Sequence, residues 1–236
     1  MFCAAGALAC LVLSTPAAAQ FAGNQKASEA QADDAAAALS EPAARVAEWI
    51  AMSGDNGELP YIILDKNAAA LFLFDAEGKL LGEAPVLIGI ATGDEATPGV
   101  GSKNLAEIGP AERTTPAGRF LARFGRAVGR QRVLWVDYST SVALHAVVTT
   151  NRKERRRERL LSPTVDDNRI TFGCINVPAN FYSRSVRPLF QAAGGVVYVL
   201  PDSKPLEEVF PRLRVMPFLD RAVQVSQGED GPTPPR

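Results

Sequence analysis

Apolar residues in this chain gather into short runs separated by turn residues, and helical spacing is the exception. Tyr61-Ile62-Ile63-Leu64 and Ala70-Leu71-Phe72-Leu73-Phe74 flank Asp65-Lys66-Asn67, a pattern that predicts a hairpin. Asp75-Ala76-Glu77-Gly78 is a second turn, and Lys79 to Ile90 reads as further strand. Thr115-Pro116-Ala117-Gly118 puts Pro and Gly where a type I turn takes them, and it launches a strand over Arg119 to Phe124. Strands are also predicted at Arg132 to Val136, Ser141 to Val148 and Val196 to Leu200, the last stopped by Pro201. Gly93 to Thr115, with Gly93, Pro98, Gly99, Gly101 and Pro110, reads as loop. Helical spacing occurs after Glu41-Pro42, where Val46, Trp49 and Ile50 share a face up to Gly54 and Gly57, and again from Pro178 to about Ala193. The expectation is a mainly β domain with one main helix behind Cys174.

The ends differ from this middle. Met1 to Leu13 is almost wholly small and apolar and leads through Ser14-Thr15-Pro16 to Ala17-Ala18-Ala19-Gln20. Small residues at the −3 and −1 positions predict an export signal over residues 1–19, cleaved after Ala19. Residues 20–56 read as an Ala-rich tether followed by the short helix, 57–205 as the globular domain, and 206–236 as a C-terminal extension. That extension ends in a tail over Gln227 to Arg236 of disordered composition.

Charge narrows the function classes. The 236 residues carry 25 Lys and Arg against 26 Asp and Glu, for a formal net charge of −1. That balance excludes a polybasic nucleic-acid binder. Past the N-terminus no apolar run approaches the ~18 residues a membrane span needs.

Export changes the meaning of the cysteines. Cys3 and Cys10 leave with the signal, so the mature chain keeps Cys174 alone, with no internal disulfide to form. A lone Cys is as readily a small buried hydrophobe as a reactive group. The surrounding segment, Arg169-Ile170-Thr171-Phe172-Gly173-Cys174-Ile175-Asn176-Val177-Pro178, favours the reactive reading. Gly173 permits a tight turn before the thiol, and Pro178 is suited to open a helix just after it. Backbone N–H groups and a nearby helix start would favour the thiolate and could hold an oxyanion.

A thiol of ordinary acidity needs a base, and His145 is the chain's one histidine. Its neighbours Ala143, Leu144, Ala146 and Val147 are apolar, which alone suits a core histidine on a strand. Beside a single mature Cys, the pair reads better as nucleophile and base. No acidic third member is evident, and a backbone carbonyl can fix the imidazole tautomer instead. Metal chemistry is disfavoured because there is no CxxC or HExxH spacing, and Gly99-Val100-Gly101 lacks the rest of a phosphate loop. Between His145 and Cys174 lies the basic run Asn151 to Arg159, six basic residues against two acidic. It reads either as a solvated face or as a cover over the site that could hold carboxylates or an anionic polymer.

From about Pro60 to Asp202 these residues resemble the catalytic domain of L,D-transpeptidases, the YkuD-like family. Tyr61-Ile62-Ile63-Leu64-Asp65-Lys66 with Leu71-Phe72-Leu73-Phe74-Asp75 looks like the family's opening hairpin. Thr114-Thr115-Pro116-Ala117-Gly118-Arg119-Phe120 looks like its TP-x-G-x-F turn, and Thr171-Phe172-Gly173-Cys174-Ile175-Asn176 is similar to its [S/T]HGC-hydrophobic-[N/R] signature. The resemblance implies a β-sandwich-like fold with Cys174 as nucleophile, His145 as its partner, and Gly173 and Cys174 amides at the oxyanion site. Thr171 and Asn176 would shape the turn and the acyl-donor site. It implies peptidoglycan stem peptides as substrate, attacked after an L,D-diamino acid to give a thioester, and an amine of another stem or of an envelope protein as acceptor. It also implies a periplasmic or envelope location, no metal and no organic cofactor, no nucleic-acid partner and no stable membrane span. Phe172 departs from the motif's His, and the stretch from His145 to Thr171 is longer than usual. Two other classes compete: a cell-wall cysteine peptidase or amidase in which water resolves the thioester, and a wall-binding domain with an idle Cys.

Overall fold

The computed structural model describes residues 39–127 and 131–215. The expected signal over 1–19, the tether as far as residue 38 and the tail beyond residue 215 lie outside the described residues.

Helix α1 (Glu41–Ser53) begins where Ser40 accepts a hydrogen bond from the Ala43 amide (3.3 Å) and ends on Gly54, whose φ of 63° is left-handed. The strands are β1 (Tyr61–Asp65), β2 (Ala70–Phe74), β3 (Leu80–Pro85), β4 (Ile88–Gly89), β5 (Gly118–Arg126), β6 (Arg132–Asp137), β7 (Val142–Ala146), β8 (Arg169–Thr171), β9 (Ile175–Val177) and β10 (Gly195–Val199). Eight of them form one mixed sheet in the order β3-β2-β1-β10-β5-β6-β7-β9, and β4 pairs with β8. The β1–β10 and β7–β9 pairs are parallel.

The fold is mainly β, as expected, but its architecture corrects the sandwich-like picture. Parallel pairing of β10 with β1 lets β10 bridge the opening hairpin and the central strands, so they share one sheet. Just past β3, Leu87 exchanges two backbone hydrogen bonds (2.9 and 2.8 Å) with Asn176 of β9, which draws the two ends of the sheet together. The sheet is therefore nearly closed into a barrel.

Two apolar cores flank its first half. Ile62, Leu64, Leu71, Leu73, Val197 and Val199 point inward with Leu144, Ile175, Tyr182, Val186 and Phe190. On the opposite face Tyr61, Ile63, Phe72, Phe74, Val196 and Tyr198 meet Val46, Trp49 and Ile50 of α1. Leu206, Phe210 and Leu213 of the C-terminal segment join the second core, so the start of that extension packs on the domain. Burial on both faces explains why β1, β2 and β10 read as continuous apolar runs.

The predicted strand over Lys79 to Ile90 is broken into β3 and β4, since Pro85 has no amide to extend the ladder. The helix behind Cys174, α3, runs as Ala179–Phe181, a π segment Tyr182–Val186, and Arg187–Phe190. Arg187 bonds back to the Tyr182 carbonyl, five residues earlier. Pro188 lies one residue on, and the wider turn relieves its clash with the preceding turn.

Candidate active site

Cys174 sits on a turn that only glycine can precede. Gly173 has φ +118°, and a Cβ there would lie 2.7 Å from the Thr114 carbonyl oxygen. The turn is fastened from both sides. Thr171 Oγ1 donates to the Cys174 carbonyl (2.6 Å) and accepts from the Gly173 amide (3.1 Å). Thr115 Oγ1 donates to the Gly173 carbonyl (2.9 Å) and accepts from the Gly89 amide (2.9 Å). The Thr115 carbonyl in turn accepts from Lys66 Nζ (3.0 Å).

Lys66 is completely buried, which a lysine tolerates only when its ammonium is paired. Nζ also donates to the Gly93 carbonyl (2.6 Å) and to Asp94 Oδ1 (3.1 Å), and pairs with Asp202 Oδ2 (3.2 Å). Asp202 Oδ1 accepts from Arg169 Nη2 (2.6 Å) at the start of β8. Burial works against the Asp94 charge, but the amides of Asp202, Lys204 and Ser203 and the Lys66 ammonium outweigh it. They hold this carboxyl well below the usual range. The family-like hairpin, the TP turn and the cysteine turn thus meet at one buried cation.

His145 lies on β7 directly beside Asn176 of β9, and Leu144 lies beside Ile175. Leu144 and Ile175 point into the core, so alternation turns Ala143, His145 and Asn176 to the other face. Cys174, one step before β9, comes to this face next to Ala143, whose amide favours the thiolate. The sulfur also contacts the Ser141 carbonyl oxygen (3.7 Å).

The protons of this cluster follow from Arg156, which can only donate. Its Nη1 bonds Asn176 Oδ1 (2.9 Å), which turns Asn176 Nδ2 toward His145 Nε2 (3.2 Å). Nε2 is therefore an acceptor without a proton. The ring proton is on Nδ1, which donates to the Ala146 carbonyl (2.8 Å). Burial, with help from the Arg156 charge, pushes the imidazole below its ordinary pKa despite the Ala146 bond. Burial also pushes the thiol up, against the Ala143 amide and Arg156. Both members of the pair rest uncharged at neutral pH.

Several expectations change here. Cys174 does not lie at a helix start, because Ile175–Val177 forms β9 before α3 begins at Ala179. Helix polarity therefore gives the thiolate little, and desolvation decides its acidity. The Gly173 amide donates to Thr171 Oγ1 at rest, so its part in this structure is the shape of the turn. Thr171 and Asn176 are 2% and 0% exposed with their polar atoms engaged internally, which makes them positioning residues beneath the site and not an open donor surface. Phe172 carries the Arg113 guanidinium over its ring (3.8 Å to the centroid), a stacking role in place of a second imidazole.

Arg156 itself was invisible in the sequence among five other basic residues of its run. The run folds as a 3₁₀ turn (Arg152–Glu154) and a short helix α2 (Arg156–Leu160), with Glu154 paired to the Arg156 guanidinium. The short strands β8 and β9 were also missed; the alternation of Ile175 and Val177 with Cys174 and Asn176 was their one signal. Among the described residues no group of three His, Cys, Asp or Glu side chains is placed to hold a metal ion, and no helix is long and apolar enough to cross a membrane.

No family model matches the chain, and no curated protein matches it. Among solved structures it is similar to an L,D-transpeptidase from Xylanimonas cellulosilytica at 16% identity and a TM-score of 0.35, covering 60% of each chain. It is similar to the helical cell shape determining protein Pgp2 from Campylobacter jejuni at 14% identity and a TM-score of 0.40, covering 62% of this chain and 49% of that one. It is also similar to an L,D-transpeptidase from Mycobacterium smegmatis at 15% identity and a TM-score of 0.33, covering 59% and 58%. In each case the match spans less than two thirds of the other protein.

Proposed function

We propose that this protein is an exported cysteine acyltransferase of the L,D-transpeptidase type, acting on peptidoglycan stem peptides in the cell envelope. One observation carries the reading. The β7–β9 pairing brings His145, as the Nδ1–H tautomer, to the face on which the Gly173 turn presents Cys174. The motif resemblance around Thr115 and Cys174 and the export pattern over residues 1–19 supply the substrate class and the compartment.

The chemistry needs no cofactor. Nε2 takes the thiol proton as sulfur attacks the amide carbonyl, and a C–S bond forms while the carbonyl oxygen gains the negative charge. The Cys174 amide remains as oxyanion donor at that turn. Collapse breaks the C–N bond, and the imidazolium returns the proton to the leaving amine. The thioester is then taken by an amine of a second stem or of an envelope protein, or by water. Asn176 Nδ2 occupies Nε2 at rest, so it yields that position as the thiol engages.

Intact mass of the protein after incubation with a disaccharide-tetrapeptide tests this. The expected result is an adduct on Cys174 equal to the donor minus its terminal D-amino acid, absent in Cys174→Ala. Cross-linked dimers then indicate transfer, and tripeptide indicates hydrolysis. Folded protein with a free thiol, no adduct and no turnover would leave the wall-binding reading in its place.

A further inference from the structure

The basic turn beside the site forms a surface cavity of about 320 Å³ lined by Thr149, Asn151, Arg152, Arg155, Arg156 and Arg157, with Glu158 as its acidic member. Arg156 is committed to Glu154 and Asn176. Arg152, Arg155 and Arg157 have no carboxylate partner among the described residues. Three guanidiniums around one cavity, with no carboxylate paired to them, make it a local centre of positive potential. The backbone is also bent to achieve it. Arg155 has φ +47°, a left-handed conformation unusual for a residue with a side chain, and it is the hinge between the 3₁₀ turn and α2. That hinge turns consecutive arginines toward one cavity.

We infer that this cavity is a carboxylate subsite, taking a free carboxylate of the peptide acyl donor next to the amide that Cys174 attacks. The inference rests on the acyl-transfer reading. Guanidinium forks match carboxylates in a bidentate way, and a cavity of this size suits an amino-acid-sized group better than a polymer. The net charge of the whole chain, −1, gives no general attraction for polyanions. Its place in the site is fixed by Arg156, which lines the cavity and reaches His145 through Asn176 in two hydrogen bonds. The basic run is therefore part of substrate recognition, and the longer stretch between His145 and Thr171 is what carries it.

The test uses the full chain and two donors, a tetrapeptide stem with free carboxylates and the same stem with its carboxylates amidated. Wild-type protein is expected to acylate from the free acid at least ~10-fold more efficiently, through KM, as fits loss of a charge-assisted hydrogen bond. Arg155→Gln/Arg157→Gln is expected to lose that preference, its KM for the free acid rising to meet that for the amidated donor. Equal use of both donors by wild type, or a preference that survives the double substitution, overturns the subsite. Binding of the same stems to Cys174→Ala is the second arm, independent of turnover. There, free-acid binding lost in Cys174→Ala/Arg155→Gln/Arg157→Gln supports the subsite even if no acylation occurs, and that absence of acylation would count against acyl transfer alone. Binding that is indifferent to amidation, or displaced more readily by an anionic phosphodiester polymer than by the peptide, overturns it.

Discussion

The two halves of the sheet are held together by different physics. Around β1, β2 and β10 both faces are covered by apolar side chains, with Trp49 of α1 edge-on to Tyr198 at 6.0 Å and Tyr61 stacked on Phe74 at 4.6 Å. Around β7, β8 and β9 one face joins the apolar core through Leu144 and Ile175, while the other is fixed by directed polar bonds: Thr115 and Thr171 on the cysteine turn, Asn176 on the imidazole, Lys66 and Arg156 as buried or half-buried cations. Apolar burial is non-directional, so the first half tolerates small adjustments and gives stability. Hydrogen bonds are directional, so the second half specifies where a sulfur, a ring nitrogen and a proton sit. The two are joined at Lys66, which follows β1 yet holds Thr115.

Perturbations should separate stability from reactivity along this line. The largest effect is expected from Gly173→Ala, where the methyl group meets the Thr114 carbonyl at a left-handed backbone. Displacing the thiol by even ~1 Å costs on the order of 100-fold in rate, so acyl-enzyme formation by intact mass should fall by at least about that factor. Next comes Trp49→Ala, expected to destabilise by about 3–5 kcal/mol in denaturant unfolding through the cavity it leaves. Thiol reactivity of the fraction still folded should be unaltered; a change in it would break the division proposed here.

Lys66→Met tests the junction. Removing the ammonium takes away the buried cation between Asp94 and Asp202, and breaking a buried pair in this way costs about 3–5 kcal/mol. Unlike Trp49→Ala, it should also slow acylation, because Thr115 loses its anchor. The same network sets an acid limit. The folded Asp94 carboxyl lies below its unfolded value near ~4, so its stabilisation is present above that pH and is lost as pH falls through the lower folded value. Asp94→Asn should flatten that acid slope in a pH series of unfolding midpoints.

The smallest effect belongs to Arg156→Ala. Without its charge the imidazole pKa should rise toward the ordinary ~6.5, so the acid limb of kcat/KM moves to higher pH, while the thiol pKa rises as well. The direction of the shift is read from the pH profile of thiol alkylation and of acylation. An unmoved profile would remove Arg156 from the site and sharpen the boundary to Asn176 alone.

Much of this molecule follows from local pattern. The continuous apolar runs at Tyr61–Leu64, Leu71–Phe74 and Val196–Val199 identify doubly buried strands, and Val46, Trp49 and Ile50 identify the face of α1. Gly173 before Cys174 marks a turn. Each of these depends on residues within a few positions of one another, where steric and hydrophobic periodicity act directly. Tertiary structure decided the rest. Whether Cys174 met a helix dipole depended on β9 pairing with β7, and whether its thiol was acidic depended on desolvation by neighbours distant in sequence. The tautomer of His145 was settled by Arg156 acting through Asn176, 20 and then 31 positions apart along the chain. Electric fields and hydrogen bonds act through space with steep dependence on distance and angle. Spacing along the chain does not encode them until the sheet has closed.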